Sequence, residues 1–535
     1  MKRIILVVLL FWVNIGLAQK MEHFSLFTDR DVYSSGETIL FHVYLPSGEG
    51  SSLINVNLLN TNGKIISSVN KKIANDQING FIYIPDSLKS GTYLLAATSR
   101  VNPIITFREV VICNQFTGIT ELGTILRATE TIPIIGKKAQ LQFTGLEKSY
   151  KARSNAEVLF NIPSELLSRI NDGLMVSVAE FIPGVSLNSF SRKIKSSDDK
   201  IIENRGIVYD GILKDSDTGA AFSNGYVYLS VPDSIPVLQY YITGANGRFH
   251  FRLDDYYGKI PVVIQAFDPG KKRLVKILPD RLDSITDYLP SFEAGPVPEE
   301  LMKVLSSTIE ATTLRKIFDY HEVLVTVPPA RQKSDYSFYG VPSEIVFPAL
   351  FMDLPDFTEV SRELLPGVKF RAYNRIPTLQ ILNPGTLNYF IDPPLVLLNG
   401  VPVQDLNVIK NLGSKEIDRI EVCRRERFFG DLVFPGVIAI FSSKQVNKLL
   451  LESDELIKIS LEAMQPDAIL NIPKTSVQNE PDLRKVLLWN PYIKPQEMTK
   501  IDFVTSDIKG SYKISIRGMT KDGEVICHEQ IFEVN

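Results

Sequence analysis

Pro394-Leu395-Val396-Leu397-Leu398-Asn399-Gly400-Val401-Pro402-Val403 decides how the middle of this chain folds. The apolar run Leu395 to Leu398 is too short for a helix and reads as a strand buried on both faces. Asn399-Gly400 supplies two residues that accept positive φ, so the chain reverses there in a tight turn. Downstream, Gly436-Val437-Ile438-Ala439-Ile440-Phe441-Ser442-Ser443-Lys444 repeats the buried-strand pattern. Between them, Leu412-Gly413-Ser414-Lys415-Glu416-Ile417-Asp418-Arg419-Ile420-Glu421-Val422 predicts a short helix and another strand, leading on through Phe429-Gly430. Upstream, Phe357 to Leu365 has helical spacing and stops at Pro366-Gly367. Residues 346–446 are therefore expected to form a small α+β module.

On both sides of it the pattern is β. From Phe24 to Val111, short alternating apolar runs are broken by Gly, Asn, Asp and Pro about every ten residues, as in a sandwich. Thr38 to Tyr44 and Gly91 to Ala97 are its clearest strands. Residues 114–200 are expected to be a second sandwich, with strands at Gln140 to Phe143 and Leu174 to Ala179, closed by a polar boundary from Ser191 to Arg205. A third occupies 203–285. Pro296-Val297-Pro298 then breaks the β pattern, and Leu301, Val304, Leu305, Ile309, Leu314, Ile317 and Phe318 predict a helix in a connector over 296–345. A polar segment, Pro328 to Ser337, follows it. The last segment, 450–535, has strands at Lys500 to Val504 and Ser511 to Arg517 and an Asp522-Gly523 turn into a closing strand, giving a final sandwich. The fold class expected is mainly β: tandem Ig-like or macroglobulin-like β-sandwiches plus one α+β module.

Length and composition agree. A chain of 535 residues exceeds one core, and domains of roughly 100–200 residues imply about four or five units. With 44% hydrophobic and 22% charged residues it reads as globular. A net charge of -3 with scattered Lys and Arg offers no footprint for nucleic acid. Cys113, Cys423 and Cys527 are far apart and odd in number, so no disulfide framework is expected. His23, His42, His250, His321 and His528 show no metal-ligand spacing. At the N-terminus, Lys2-Arg3 precedes an apolar run from Ile4 to Leu17 that ends in Gly16-Leu17-Ala18, predicting a signal peptide over 1–18 and export. No later stretch is as long or as apolar, so no integral span is expected in the mature chain.

Three stretches resemble known families. Thr28-Asp29-Arg30-Asp31-Val32-Tyr33-Ser34-Ser35-Gly36-Glu37, with Leu58 to Lys64 and Gly91-Thr92-Tyr93, resembles the second macroglobulin domain (MG2) of the alpha-2-macroglobulin family, which implies an MG2-like sandwich over 19–113. Gly206-Ile207-Val208-Tyr209, Asp217-Thr218-Gly219 and Gly247-Arg248-Phe249-His250-Phe251 resemble the regulatory-like domain of carboxypeptidases, a prealbumin-type sandwich that commonly serves as a rigid spacer. The order of elements in 346–446 resembles the plug domain of TonB-dependent outer-membrane receptors. Phe434-Pro435-Gly436 departs from that family's usual Ala-Asn-Gly, and the 91 residues after Lys444 are too few for a barrel of about 22 strands. Leu488-Trp489-Asn490-Pro491 is similar to macroglobulin-like segments found beside plug-like domains.

Chemistry is sparse. The sequence lacks a Gly-x-Ser-x-Gly elbow, a His-Glu-x-x-His helix and a phosphate-cradling Gly-Lys-Ser/Thr loop. Cys527-His528-Glu529-Gln530 matches the Cys-x-Glu-Gln thioester of macroglobulins, but alternation of Val525, Cys527, Ile531 and Phe532 with polar residues reads as an ordinary strand. Asp29, Asp31 and Glu37 read as solvated turn carboxylates rather than a calcium site. Arg424, Arg425 and Arg427 beside Phe428 and Phe429 form the one candidate protein-contact patch, because Arg and aromatic side chains favour interface centres. The expectation is a non-enzymatic scaffold or accessory protein without a cofactor, periplasmic or peripheral to the outer membrane. Its expected partner is an envelope or outer-membrane protein complex, a TonB-dependent-type transporter included. A macroglobulin-like protease-binding protein and a secreted surface adhesin are the alternatives.

Overall fold

The computed structural model describes residues 24–45, 53–99, 104–117, 124–129, 137–138, 141–185, 187–193, 206–270, 273–279, 285–318, 323–327, 336–373, 376–442, 449–471 and 481–535. The predicted signal peptide lies outside them, as do most of the two predicted polar segments. The molecule is mainly β, in many small sheets packed as sandwiches. It divides into two units, one of residues 1–204, 285–327 and 467–535, the other of 205–284 and 328–466.

In the first unit, Ser25–Thr28, Thr38–Tyr44 and Gln77–Tyr83 form one sheet of an N-terminal sandwich. Opposite it lie Ser189–Lys193, Ile104–Cys113, Gly91–Thr98, Leu53–Asn60 and Ile65–Lys72, in that spatial order. Alternating residues meet in the core, among them Phe41, Val43, Val56, Leu58, Leu95, Val110 and Ile112. The strand Ser189–Lys193, expected within the second sandwich, belongs here because Phe190 is buried and stacks on Phe107 at 5.0 Å.

The segments expected to form a second and a last sandwich share one core. Ile170–Glu180 is flanked by Gly510–Thr520 on one side and Val486–Ile493 on the other, and Val525–Val534 continues the sheet. The facing sheet places Asn155–Asn161 between Gln142–Thr144 and Met498–Val504. Phe160, Val176, Phe503, Tyr512, Ile514 and Phe532 fill the interior. The reason is burial. From Leu174 to Ala179 this strand is buried on both faces, as a central strand is, so it takes neighbours on either side, which the local sequence does not contain. Helix Glu299–Ile317 follows Pro298 as predicted and buries Leu301 and Leu305 against Val32, Val111 and Ile182.

The second unit opens with a sandwich of Arg248–Asp254, Gly206–Asp215 and Val275–Pro279 against Val237–Ile242, Tyr226–Val231, Lys259–Phe267 and Leu456–Glu462. The last of these, expected in the C-terminal sandwich, instead pairs with Lys259–Phe267 over seven residues. The unit's second part is the α+β module. Its five-stranded sheet runs Glu344–Val346, Arg419–Cys423, Val437–Phe441, Leu395–Leu398, Val401–Pro402. Only the Leu395–Leu398 and Val437–Phe441 pair is parallel. Helix Phe357–Leu364 starts where the Asp356 carboxylate accepts from the Glu359 N–H (3.0 Å) and stops before Gly367, at φ 78°. Asn399 and Gly400 sit at φ 49° and 84°, which is the predicted turn. The Asn399 amide also donates to the Ser442 carbonyl (2.9 Å) and its Oδ1 accepts from the Ser442 N–H (2.8 Å), tying the turn to the parallel strand's end.

Candidate protein-docking site

After the buried strand Arg419–Cys423, the chain leaves the five-stranded sheet and forms a hairpin, Arg427–Phe429 with Leu432–Phe434. The five predicted contact residues all lie on this excursion, and the structure gives them different tasks. Arg424 pairs with Glu344 at 2.5 Å. Arg427 donates from Nε to the Tyr339 carbonyl (2.8 Å) and from Nη2 to the Val341 carbonyl (3.0 Å), pinning that loop beneath the hairpin. Phe429 is half-buried, its ring 5.5 Å from that of Tyr240 and 5.1 Å from that of Phe338. The Tyr240 hydroxyl accepts from the Asp431 N–H at 2.9 Å, locking the turn.

What remains facing solvent is Arg425 and Phe428. Phe428 is 71% exposed and stands directly across the hairpin from Val433, itself 53% exposed. Sequence reasoning missed Val433 and the supports Tyr240, Phe338 and Tyr339. Cross-strand register would have shown Val433, because two residues flanking the Gly430-Asp431 turn at equal distance face one another. The result is an apolar pair displayed on an anchored hairpin, an arrangement suited to contact rather than chemistry.

The remaining candidates carry no reaction. Cys527 and Gln530 are three residues apart on the extended strand Val525–Val534 and so project to opposite faces, where a thioester cannot close. Glu529 is held below the usual carboxylate range: burial raises it, but the Arg517 and Lys513 charges outweigh that. The Cys113 thiol is pushed up to about 12, mainly by burial, and burial also raises that of Cys423, so neither thiol is activated. Asp29, Asp31 and Glu37 are a correction to the solvated-turn reading. Asp31 pairs with Arg108 at 2.6 Å, while Asp29 is buried and accepts from the Tyr33 hydroxyl (2.8 Å), and Glu37, whose side chain is 9% exposed, pairs with Arg30 (2.9 Å) and Arg315 (3.2 Å). Their partners are guanidinium groups, a phenol and the backbone N–H groups of Leu40 and Ser34, not a metal ion. Among the described residues no group of three or more His, Cys, Asp or Glu is placed to hold a metal ion, and no helix is long and apolar enough to cross a membrane.

No family model matches the chain, and no curated protein matches it. Solved structures similar to it include a trypsin-activated alpha-2-macroglobulin from Escherichia coli (TM-score 0.23, 8% identity, covering 95% of this chain and 41% of that one). A Salmonella alpha-2-macroglobulin reacted with methylamine gives a TM-score of 0.22 at 10% identity, covering 96% and 39%. The BSP domain of a biofilm-associated protein gives 0.15 at 12% identity, covering 46% and 27%. This chain thus spans about two fifths of the length of the macroglobulins, and similarity this low assigns it to no family.

Proposed function

We propose that this protein is a non-enzymatic, exported scaffold of the bacterial cell envelope that binds a protein partner through the Arg427–Phe434 hairpin, its sandwiches serving as spacers. The observation that carries this reading is the Phe428 and Val433 pair, held in solvent by Phe429, Arg427 and Tyr240. Exposed apolar groups on a fixed support gain contact area without losing much freedom on binding. The likeness of 346–446 to a receptor plug supports an outer-membrane complex as the partner, a TonB-dependent-type transporter among the choices. The opposed faces of Cys527 and Gln530 speak against a covalent protease trap.

A photocrosslinking residue in place of Phe428, in intact cells, tests the proposal. A defined adduct is expected from position 428 and none from Ile391, an apolar residue 94% exposed elsewhere in the unit. Equal labelling at both positions, or none at 428 in folded protein, ends the reading.

A further inference from the structure

The edge of the five-stranded sheet presents a second apolar surface, separate from the hairpin. Glu344–Val346 is the terminal strand, and among the described residues none pairs with its outer side. From it the chain runs into the single turn Pro348–Leu350. Ile345, Phe347, Leu350, Phe351 and Met352 are 50%, 47%, 81%, 59% and 68% exposed. Eight consecutive residues hold all five, so they lie within roughly 25 Å of one another, and Ile345 and Phe347 alternate with buried Val346 and Pro348. Scaled by whole-residue areas of roughly 150–250 Å², these exposures amount to roughly 600 Å² of apolar surface. That is the upper end of what a monomer shows and close to the ~800 Å² per partner of a stable interface.

The patch is also preorganised. Pro348 and Val346 are buried, and the chain beyond the patch is pinned by Ser414, whose Oγ accepts from the Leu354 N–H (3.0 Å) and donates to the Met352 carbonyl (3.2 Å). Charge then selects the occupant. Residues 345–352 carry no charged side chain, and the two flanking carboxylates are already neutralised within the chain, Glu344 by Arg424 and Asp353 by Lys415, each at 2.5 Å. A partner recruited by charge finds nothing uncompensated to read. A two-fold contact sets residue i of one copy against residue j of the other and j against i, like charges meeting only at the axis, so an uncharged centre with a compensated rim lets two copies meet without charge repulsion.

We infer that Ile345–Met352 forms a two-fold interface with a second copy of this chain. Sedimentation of the purified protein over a rising concentration series should show the mass double. The variant Leu350→Glu/Phe351→Glu/Met352→Glu should remain a single chain or dimerise at least roughly tenfold more weakly, as for loss of a central anchor cluster. Ile391→Glu should behave as wild type. As a test independent of that variant's folding, Leu350→Cys treated with diamide should give a covalent dimer, two thiols forming one disulfide as the diamide takes up two electrons and two protons, and Ile391→Cys should not. A wild-type protein that stays a single chain at the highest concentration overturns the inference. So does a dimer that Leu350→Cys fails to link. Neither result bears on crosslinking from position 428.

Discussion

Lys485 is 1% exposed, yet its ammonium sits 2.7 Å from Glu180 and 2.5 Å from the Thr308 hydroxyl. Around it, Arg30 and Arg315 face Glu37, and Arg484 pairs with Asp482 at 2.5 Å, so charges that each cost several kcal/mol to bury cancel among themselves. Lys485→Met strips Glu180 of its partner and should destabilise this region by about 3–5 kcal/mol, read as hydrogen-exchange opening of Ile170–Glu180. Lys485→Met with Glu180→Leu should recover most of the loss, and a single variant costing under about 1 kcal/mol would contradict a desolvated pair. Burial outweighs an opposing hydrogen bond from Gln77 at His42, which packs 4.5 Å from the Tyr44 ring and whose pKa falls to about 3. A folded pKa below that of the unfolded chain, about 6.5, means stability is complete above that value and is lost as pH falls toward the folded one. Relative to His42→Leu, wild type should therefore lose about 2 kcal/mol between pH 7 and pH 5. A gap between the two proteins that stays constant over that range would show that His42 is hydrated.

Turns carry the next level of specification. Gly400 combines φ 84° with a neighbouring Pro236 ring that any Cβ would strike, whereas Gly219, at φ 70°, faces open space. Gly400→Ala should cost about 3 kcal/mol, strain and collision together, and Gly219→Ala about 1 kcal/mol, strain alone. Hydrogen exchange of Leu395–Leu398 and of Gly206–Asp215 measures the two, and equal costs would mean that Pro236 gives way. Such turns were legible in the sequence because their cause is local: Asn399-Gly400 states its own φ, and Pro366-Gly367 stops its own helix. Strand partners were not. Nothing in Leu456–Glu462 names Lys259–Phe267 as its neighbour, since an alternating strand suits any half-buried edge of matching length. The candidate site divides the same way. Arg424, Arg425, Arg427, Phe428 and Phe429 stood out as a run, but Val433 needed the register, and Tyr240 and Phe338 needed the packing.

At the scale of the molecule, the first unit's second core is built from strands whose partners lie more than three hundred residues away, with the whole second unit between them. Closing so long a connection costs little more than closing a moderate one, because loop entropy grows only with the logarithm of length. The consequence is unequal dependence on the C-terminus. Ile170–Glu180 has Gly510–Thr520 along one side, and Val525–Val534 covers the next edge, so removing residues 510–535 strips the sheet of two of its longest strands and exposes Val176, Phe160 and Phe503. By contrast, every described sheet of the second unit closes within Gly206–Glu462. A chain ending at Lys509 should thus lose hydrogen-exchange protection across Ile170–Glu180 and Asn155–Asn161 and bind a hydrophobic dye, while Leu395–Leu398 and Val437–Phe441 keep theirs. If protection instead fell in both units together, the two would be one cooperative body, and the C-terminal strands would be holding up the Arg427–Phe434 hairpin as well as their own core.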